Sequence, residues 1–154
     1  MSGVRGRNTR PELRVRKALF ASGFRFRLHK KGLPGTPDIV LAKYRLAIFV
    51  HGCFWHQHPG CRYATVPKSN QQFWLEKLER NKIRDKSKVA QLLRLKWRVL
   101  LVWECATRGK IGEELEELLA DHVPSDICFA AIGGSARARS KKVFGRNRPL
   151  TAIE

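Results

Sequence analysis

Apolar residues recur along this chain in two periods. In the first segment they fall at Leu13, Val15, Leu19 and Phe20, a helical stripe with a start and a stop. Thr9-Arg10-Pro11-Glu12 reads as a T-x-x-E capping box with proline early in the first turn, and Ser22-Gly23 supplies the breaker. Phe24-Arg25-Phe26-Arg27-Leu28 then alternates apolar and basic, the period of a half-exposed strand. After a Gly- and Pro-rich loop from His29 to Pro37, two more strands are predicted, Asp38-Ile39-Val40-Leu41-Ala42 and Leu46-Ala47-Ile48-Phe49-Val50, with the turn at Lys43-Tyr44-Arg45. A hairpin centred on Tyr44 sets Asp38 beside Val50 and next to His51, so a carboxylate and an imidazole meet at one end of a sheet.

From Gln71 to about Leu95 the pattern predicts a long helix with Trp74, Leu75, Leu78, Val89, Leu92 and Leu93 inward and Lys and Arg crowding its other positions. Trp97 to Trp103 is an almost continuous apolar run, the signature of a strand buried on both faces. A helix between two such strands implies a right-handed crossover and parallel pairing, which carries Cys105 toward Cys53. A short helix from Ile111 to His122 turns Ile111, Leu115, Leu118 and Leu119 inward and Glu113, Glu114, Glu116 and Glu117 outward. This order predicts an α/β sandwich with a mixed sheet. Periodicity ends at Val123, and the Gly-, Ser- and base-rich stretch from Gly133 to Arg148 predicts a flexible tail. The expected organisation is a basic arm over 1–10, one folded domain over 11–122 and a basic tail over 123–154, in which Cys128 has no assignment.

Charge narrows the partners. Lys and Arg number 31 against 13 Asp and Glu, a formal charge of +18 in 154 residues. The bases are spread through the chain and form no basic amphipathic helix, which favours nucleic acid over a membrane surface. No apolar run approaches the roughly 18 residues of a membrane span, and the N-terminus lacks the apolar core of a secretory signal. A cytoplasmic protein with reduced thiols is expected, where clustered cysteines are more often metal ligands than disulfides.

Candidate chemistry concentrates in Phe49-Val50-His51-Gly52-Cys53-Phe54-Trp55-His56-Gln57-His58-Pro59-Gly60-Cys61, which holds three of the 5 histidines and two of the 4 cysteines. Cys53-x4-His58-x2-Cys61 with Cys105 makes a closed Cys3His set suited to a structural zinc, although His51 and His56 are equally near in sequence. Leu33-Pro34-Gly35-Thr36-Pro37-Asp38 opens an apolar strand, where a fixed carboxylate suits a hard Mg2+ ion that keeps waters for attack on phosphorus. In isolation a Pro-Asp is more often a turn-ending dipeptide; the expected proximity of His51 raises its interest. Phe54-Trp55, in a loop with little core to enter, reads as an apolar wedge for DNA, whereas Phe73 reads as core.

These residues resemble the very-short-patch-repair (Vsr-type) DNA mismatch endonucleases. The likeness runs from about Val4 to Thr107 and rests on VRG before TRPEL, on LPGTPD, on FVHGCFWHQH, on FWLEKLERNKIRD and on WRVLLVWEC. The resemblance implies a restriction-endonuclease-like three-layer sandwich with a mixed central sheet and a structural zinc site. It implies Mg2+-dependent nicking of duplex DNA 5′ to the thymine of a T:G mismatch left by deaminated 5-methylcytosine. Asp38 matches the metal-binding aspartate and the Val50 backbone carbonyl a second Mg2+ ligand. His56 matches the imidazole that activates water, His51 a second catalytic imidazole, and Glu12 a glutamate holding metal-bound water. Cys53, His58, Cys61 and Cys105 match the Zn2+ ligands, and Phe54, Trp55 and Trp74 the intercalating aromatics. Asn81, Arg84 and Asp85 match a polar stretch of the long helix, with Asn81 and Arg84 as DNA contacts. No motif covers the chain after about His122. A monomer acting in the bacterial cytoplasm beside other mismatch-repair proteins is expected. Two rivals remain at this point: a restriction-type nuclease on matched DNA, and a non-catalytic zinc-containing nucleic-acid-binding protein, which would leave Asp38, His51 and His56 unexplained.

Overall fold

A computed structural model describes residues 6–119, 127–133 and 142–145. The chain runs α1 (Arg10–Ala21), β1 (Arg27–Leu28), β2 (Ile39–Leu41), β3 (Leu46–His51), α2 (Gln71–Arg94), β4 (Arg98–Trp103), α3 (Ile111–Leu119), β5 (Ile127–Ile132) and β6 (Lys142–Gly145). Among the described residues the strands form one six-stranded sheet in sequence order. Its centre, β3 to β5, is parallel and its two edges are antiparallel.

Strand alternation sorts the core into two. Leu46, Ile48, Leu100 and Val102 pack with Val15 and Leu19 of α1 and Ile111 and Leu115 of α3. Ala47, Phe49, Val99 and Leu101 pack with Val89 and Leu92 of α2. The result is a three-layer α/β/α sandwich, with each fully buried Leu, Ile or Val contributing about 1.5–3 kcal/mol.

The structure corrects several expectations. The buried stripe of α1 is Glu12, Val15 and Leu19, while Leu13 and Phe20 are exposed. A spacing of three then four residues is the better helical stripe, and it carries a glutamate into the interior. The N-cap is Thr9, whose Oγ1 accepts from Glu12 N, but the Glu12 carboxylate accepts from Asn8 N instead of completing the box at Thr9. In α2, Leu78, Val89 and Leu92 are buried, whereas Leu75 and Phe73 are exposed because the first turns overhang the loop after β3. Ile111 and Leu115 are buried as expected; the side chains of Leu118, Leu119 and Cys128 lie outside the described residues.

The β2–β3 hairpin is one residue off the expected register. Ile39 faces Ile48 and Leu41 faces Leu46, because the connection is a 3-10 turn over Ala42–Tyr44 closed by Arg45 in the left-handed region. The boundary at residue 122 also fails: β5 pairs with β4 and β6 with β5, placing Ile127–Ile132 and Lys142–Gly145 in the sheet instead of in a tail.

Gly133, at the end of β5, lies against the face of Trp103 on β4. A Cβ there would sit 2.7–2.9 Å from three Trp103 atoms. Gly133→Ala is therefore expected to destabilise the fold by about 1–3 kcal/mol, measured by urea unfolding; an unchanged midpoint would mean that β5 does not pack on β4.

Candidate active site and metal centre

Parallel pairing of β3 with β4 sets His51 opposite Trp103, so the chains leave the sheet side by side. Two residues on, the Cys105 N–H donates to Cys53 Sγ at 3.4 Å. Between them the loop turns back on itself: His56 N donates to Gly52 O, Gln57 N to Phe54 O and His58 N to Cys53 O, with Gln57 in the left-handed region. These turns bring His58 Nδ1 within 3.7 Å of Cys53 Sγ and 3.4 Å of Cys105 Sγ. Cys61 completes a group whose ligand atoms all lie within 4.8 Å of one another. A tetrahedral zinc with bonds of about 2.3 Å to sulfur and about 2.0 Å to nitrogen has S···N edges of about 3.5 Å, so the spacing suits a metal ion. Burial pushes the Cys53 thiol above its ordinary range and His58 below its own. Cysteine binds metal as thiolate and histidine as neutral imidazole, so a bound cation would supply the charge that holds such thiols deprotonated against their burial. The ring of Trp103 stacks on His58 at 4.3 Å.

The second group lies in an open cleft of about 980 Å³ that includes Glu12, Asp38, His51, Trp55, His56 and Asp85 in its wall. Asp38 immediately precedes β2. The last residue of β3 facing β2 in register is Ile48, so the Val50 N–H would be left without a strand partner. Asp38 Oδ2 accepts it at 2.8 Å. The expected meeting of Asp38 and Val50 thus survives the register shift, through a side chain instead of backbone pairing. Amide and carbonyl of one extended residue point to the same strand edge, so the Val50 carbonyl faces this end of the site. The preceding loop is pressed into place at Gly35, whose φ is +76° and where an added Cβ would sit 3.1 Å from Lys88 Cβ and 3.2 Å from the Phe49 ring. Burial raises the Asp38 carboxyl to about 6, with Glu12 adding to the rise and the Val50 amide opposing it.

His51 and His56 stack face to face, with centroids 3.8 Å apart and planes 7° apart. His51 is 6% exposed, its Nδ1 has no partner, and burial followed by the neighbouring His56 lowers its pKa to about 3. It is a neutral ring. His56 is more open and its Nδ1 lies 2.5 Å from Asp85 Oδ2. A carboxylate there fixes the proton on Nδ1 and leaves Nε2 as a base. Asp85 was expected only as part of a polar stretch; its spacing from His56 carries no signal until α2 is laid across the loop.

Glu12 Oε2 accepts from Asn8 N at 3.0 Å and from Arg16 at 2.7 Å. Arg16 also reaches His29 Nε2 at 3.0 Å. Glu12, His29 and Asp38 form a further group of closely spaced potential ligands. His29 had no expected role, being a lone histidine in a turn-rich loop. Of the proposed DNA contacts, Asn81 donates to Trp55 O at 3.2 Å and is itself held by Arg84 at 3.0 Å. Asn81 therefore braces the loop, while Arg84 remains exposed. Phe54, Trp55 and Trp74 form a half-exposed cluster with centroid separations of 5.1–6.0 Å, and Lys77 lies over both indoles.

The chain that carries this arrangement is similar in sequence to known proteins. The family model described as DNA mismatch endonuclease Vsr matches residues 1–62. The DNA mismatch endonuclease Vsr of Escherichia coli (strain K12) is 43% identical over 129 residues, covering 83% of this chain and 81% of that protein. This chain belongs to the Vsr family. The type II nicking enzyme V.XorIIP of Xanthomonas oryzae pv. oryzae is 55% identical over 121 residues, 77% of this chain and 88% of that enzyme. The type II nicking enzyme V.NmeAIP of Neisseria meningitidis is 44% identical over 110 residues, 71% and 78% of the two chains. Among the described residues no helix of this Vsr-family chain is long and apolar enough to cross a membrane.

Cys53→Ser is expected to release the metal of the Cys3His group and to lower the melting temperature by more than about 5 °C. Atomic emission and calorimetry on the purified chain check this; a variant that keeps its metal and melts like wild type overturns the assignment.

Proposed function

We propose that this chain is a Mg2+-dependent DNA mismatch endonuclease of restriction-endonuclease-like fold. It nicks duplex DNA 5′ to the thymine of a T:G mismatch, starting very short patch repair, as a monomer in the bacterial cytoplasm. The observation that carries the reading is the His56–Asp85 pair facing the same cleft as Asp38, beside a half-exposed aromatic cluster. Membership of the Vsr family supports it, as does the charge of +18.

Asp38 and the Val50 carbonyl would hold Mg2+, and the fit is chemical: two hard oxygen donors at the end of a sheet, in an open cleft with room for waters. The ion would supply positive charge against the phosphate and a lowered pKa for attacking water. His56 Nε2 takes the proton from that water while Asp85 holds the ring through Nδ1. His51, neutral and stacked beneath His56, supports the ring and offers an N–H to phosphate oxygen in place of a charge. Glu12 holds water near the ion. Zn2+ on Cys53, His58, Cys61 and Cys105 fixes the loop that carries both His56 and the wedge. Phe54, Trp55 and Trp74 enter the duplex where pairing is defective, at an unstacking penalty of a few kcal/mol that is smaller at a mismatch.

Two relatives are named type II nicking enzymes, which specifies a nick and not the pairing at the nicked site, so a nick at matched DNA is the alternative reading. End-labelled duplexes differing only in T:G or C:G at one position, with Mg2+ or EDTA, decide between them. Nicking of the T:G duplex alone and only with Mg2+ is expected; equal cutting of the matched duplex would sink the mismatch assignment. On the same gel His56→Ala and Asp85→Asn should each slow nicking by roughly 10²–10⁴-fold while gel-shift binding of the mismatch stays near wild type.

Because Asp38 must lose its proton to hold a cation, the nicking rate should rise with pH through about 6. Proton and cation compete for the carboxylate, so the midpoint should move lower as Mg2+ is raised. A midpoint indifferent to Mg2+ would assign the titration to another group.

A further inference from the structure

His29 lies outside the machinery described so far. It ends β1's connection at the start of the Gly- and Pro-rich loop, and its N–H donates to the Asp38 carbonyl at 3.1 Å, tying the two residues together. Its φ is +46°, in the left-handed region where glycine or asparagine is the unstrained choice. An imidazole kept in such a conformation asks what the ring does.

Its proton can be placed. Arg16 Nη2 lies 3.0 Å from His29 Nε2, and a guanidinium can only donate. Nε2 is therefore the acceptor, and the neutral ring carries its hydrogen on Nδ1. The 3.7 Å approach of Nε2 to Glu12 Oε2 is then no ion pair; Arg16 donates to both and draws them together. On its other side, Nδ1 faces Asp38 Oδ1 at 4.0 Å. Asp38 Oδ2 is already engaged by the Val50 amide, so Oδ1 is the oxygen left to face a cation.

We propose that His29 is a positioning residue of the Asp38 metal site. Arg16 fixes its tautomer, and its Nδ1–H steers the Asp38 carboxylate so that Oδ1 presents a lone pair to the ion. At 4.0 Å the contact is longer than a direct hydrogen bond, and closing it takes a movement of about 1 Å in ring or carboxylate. Direct ligation through Nδ1 would require a hydrogen on Nε2, pointing at Arg16. The role is thus donor, not ligand, which also keeps the first shell all oxygen and suited to a hard ion. The inference rests on the reading of Asp38 as a metal ligand.

Two substitutions separate the ring's chemistry from the backbone. Gly tolerates the left-handed conformation and deletes the side chain. Asn tolerates it too and offers an amide N–H close to where Nδ1–H stands. The probe is Mn2+, followed by electron paramagnetic resonance of the free ion in titrations of the full chain, with Asp38→Asn marking the signal that belongs to Asp38. Wild type is expected to show an Asp38-dependent site, His29→Gly to bind there about tenfold more weakly, and His29→Asn to stay within about threefold of wild type. Binding by His29→Gly equal to wild type overturns the proposal, as does His29→Asn binding as weakly as His29→Gly, which would mean the ring contributes something other than an N–H. A wild type without Asp38-dependent binding overturns the metal reading of Asp38 itself and His29's role with it.

Discussion

The parallel pairing of β3 with β4 is the constraint on which both centres depend. With His51 opposite Trp103, the two strands deliver Cys53 and Cys105 to one place, and a soft-ligand group can close only there. On its other edge, the antiparallel register of β3 with β2 puts Val50 beyond the end of β2, so that its amide is free for Asp38. A slip of one residue would reverse every side chain on β3, sending His51 to the α1 side and Val50 toward α2. The metal group and the cleft therefore both hang on β3 and on the registers it keeps with its two neighbours.

Trp103 links them physically. It stacks on His58 of the Cys3His group and meets His51 edge-on at 5.4 Å, with Gly133 against its other surroundings. His51 in turn lies flat against His56. A ring-on-ring chain thus runs from the cysteine-rich corner to the proposed base through two uncharged members, the indole of Trp103 and the buried His51. Charged side chains gather instead in the cleft, where Asp38, Asp85 and the buried Glu12 face Arg7 and Arg84.

Much of this was legible in the sequence because it follows from periods and from residue chemistry. The long helix, the hairpin, the buried strand before Cys105 and the Cys3His group all carry strong local signals. What was misread has identifiable causes. Weighing apolar character above spacing places Leu13 and Phe20 in the core, whereas the inward stripe runs through Glu12, Val15 and Leu19. The hairpin register slipped because a 3-10 turn with a left-handed Arg45 has no mark in its residue types. β5 went unseen because six residues followed by glycine in a base-rich setting resemble a tail until β4 is there to pair with. Asp85 and His29 acquire partners only when α2 and the loop before β2 are brought across distant strands, and no spacing along the chain announces that.

One consequence lies in the adjacency of Trp55 and His56. Neighbouring Cα atoms are about 3.8 Å apart, close to the roughly 3.4 Å between successive nucleotides on a strand. On the proposed roles of Trp55 as wedge and His56 as base, the point of opening and the point of cutting would be served by residues one peptide link apart. Asn81 grips the loop at the Trp55 carbonyl and Asp85, one helical turn further on, grips it at the His56 ring. On those roles the loop sets the spacing between wedge and base, and α2 sets how firmly both are held.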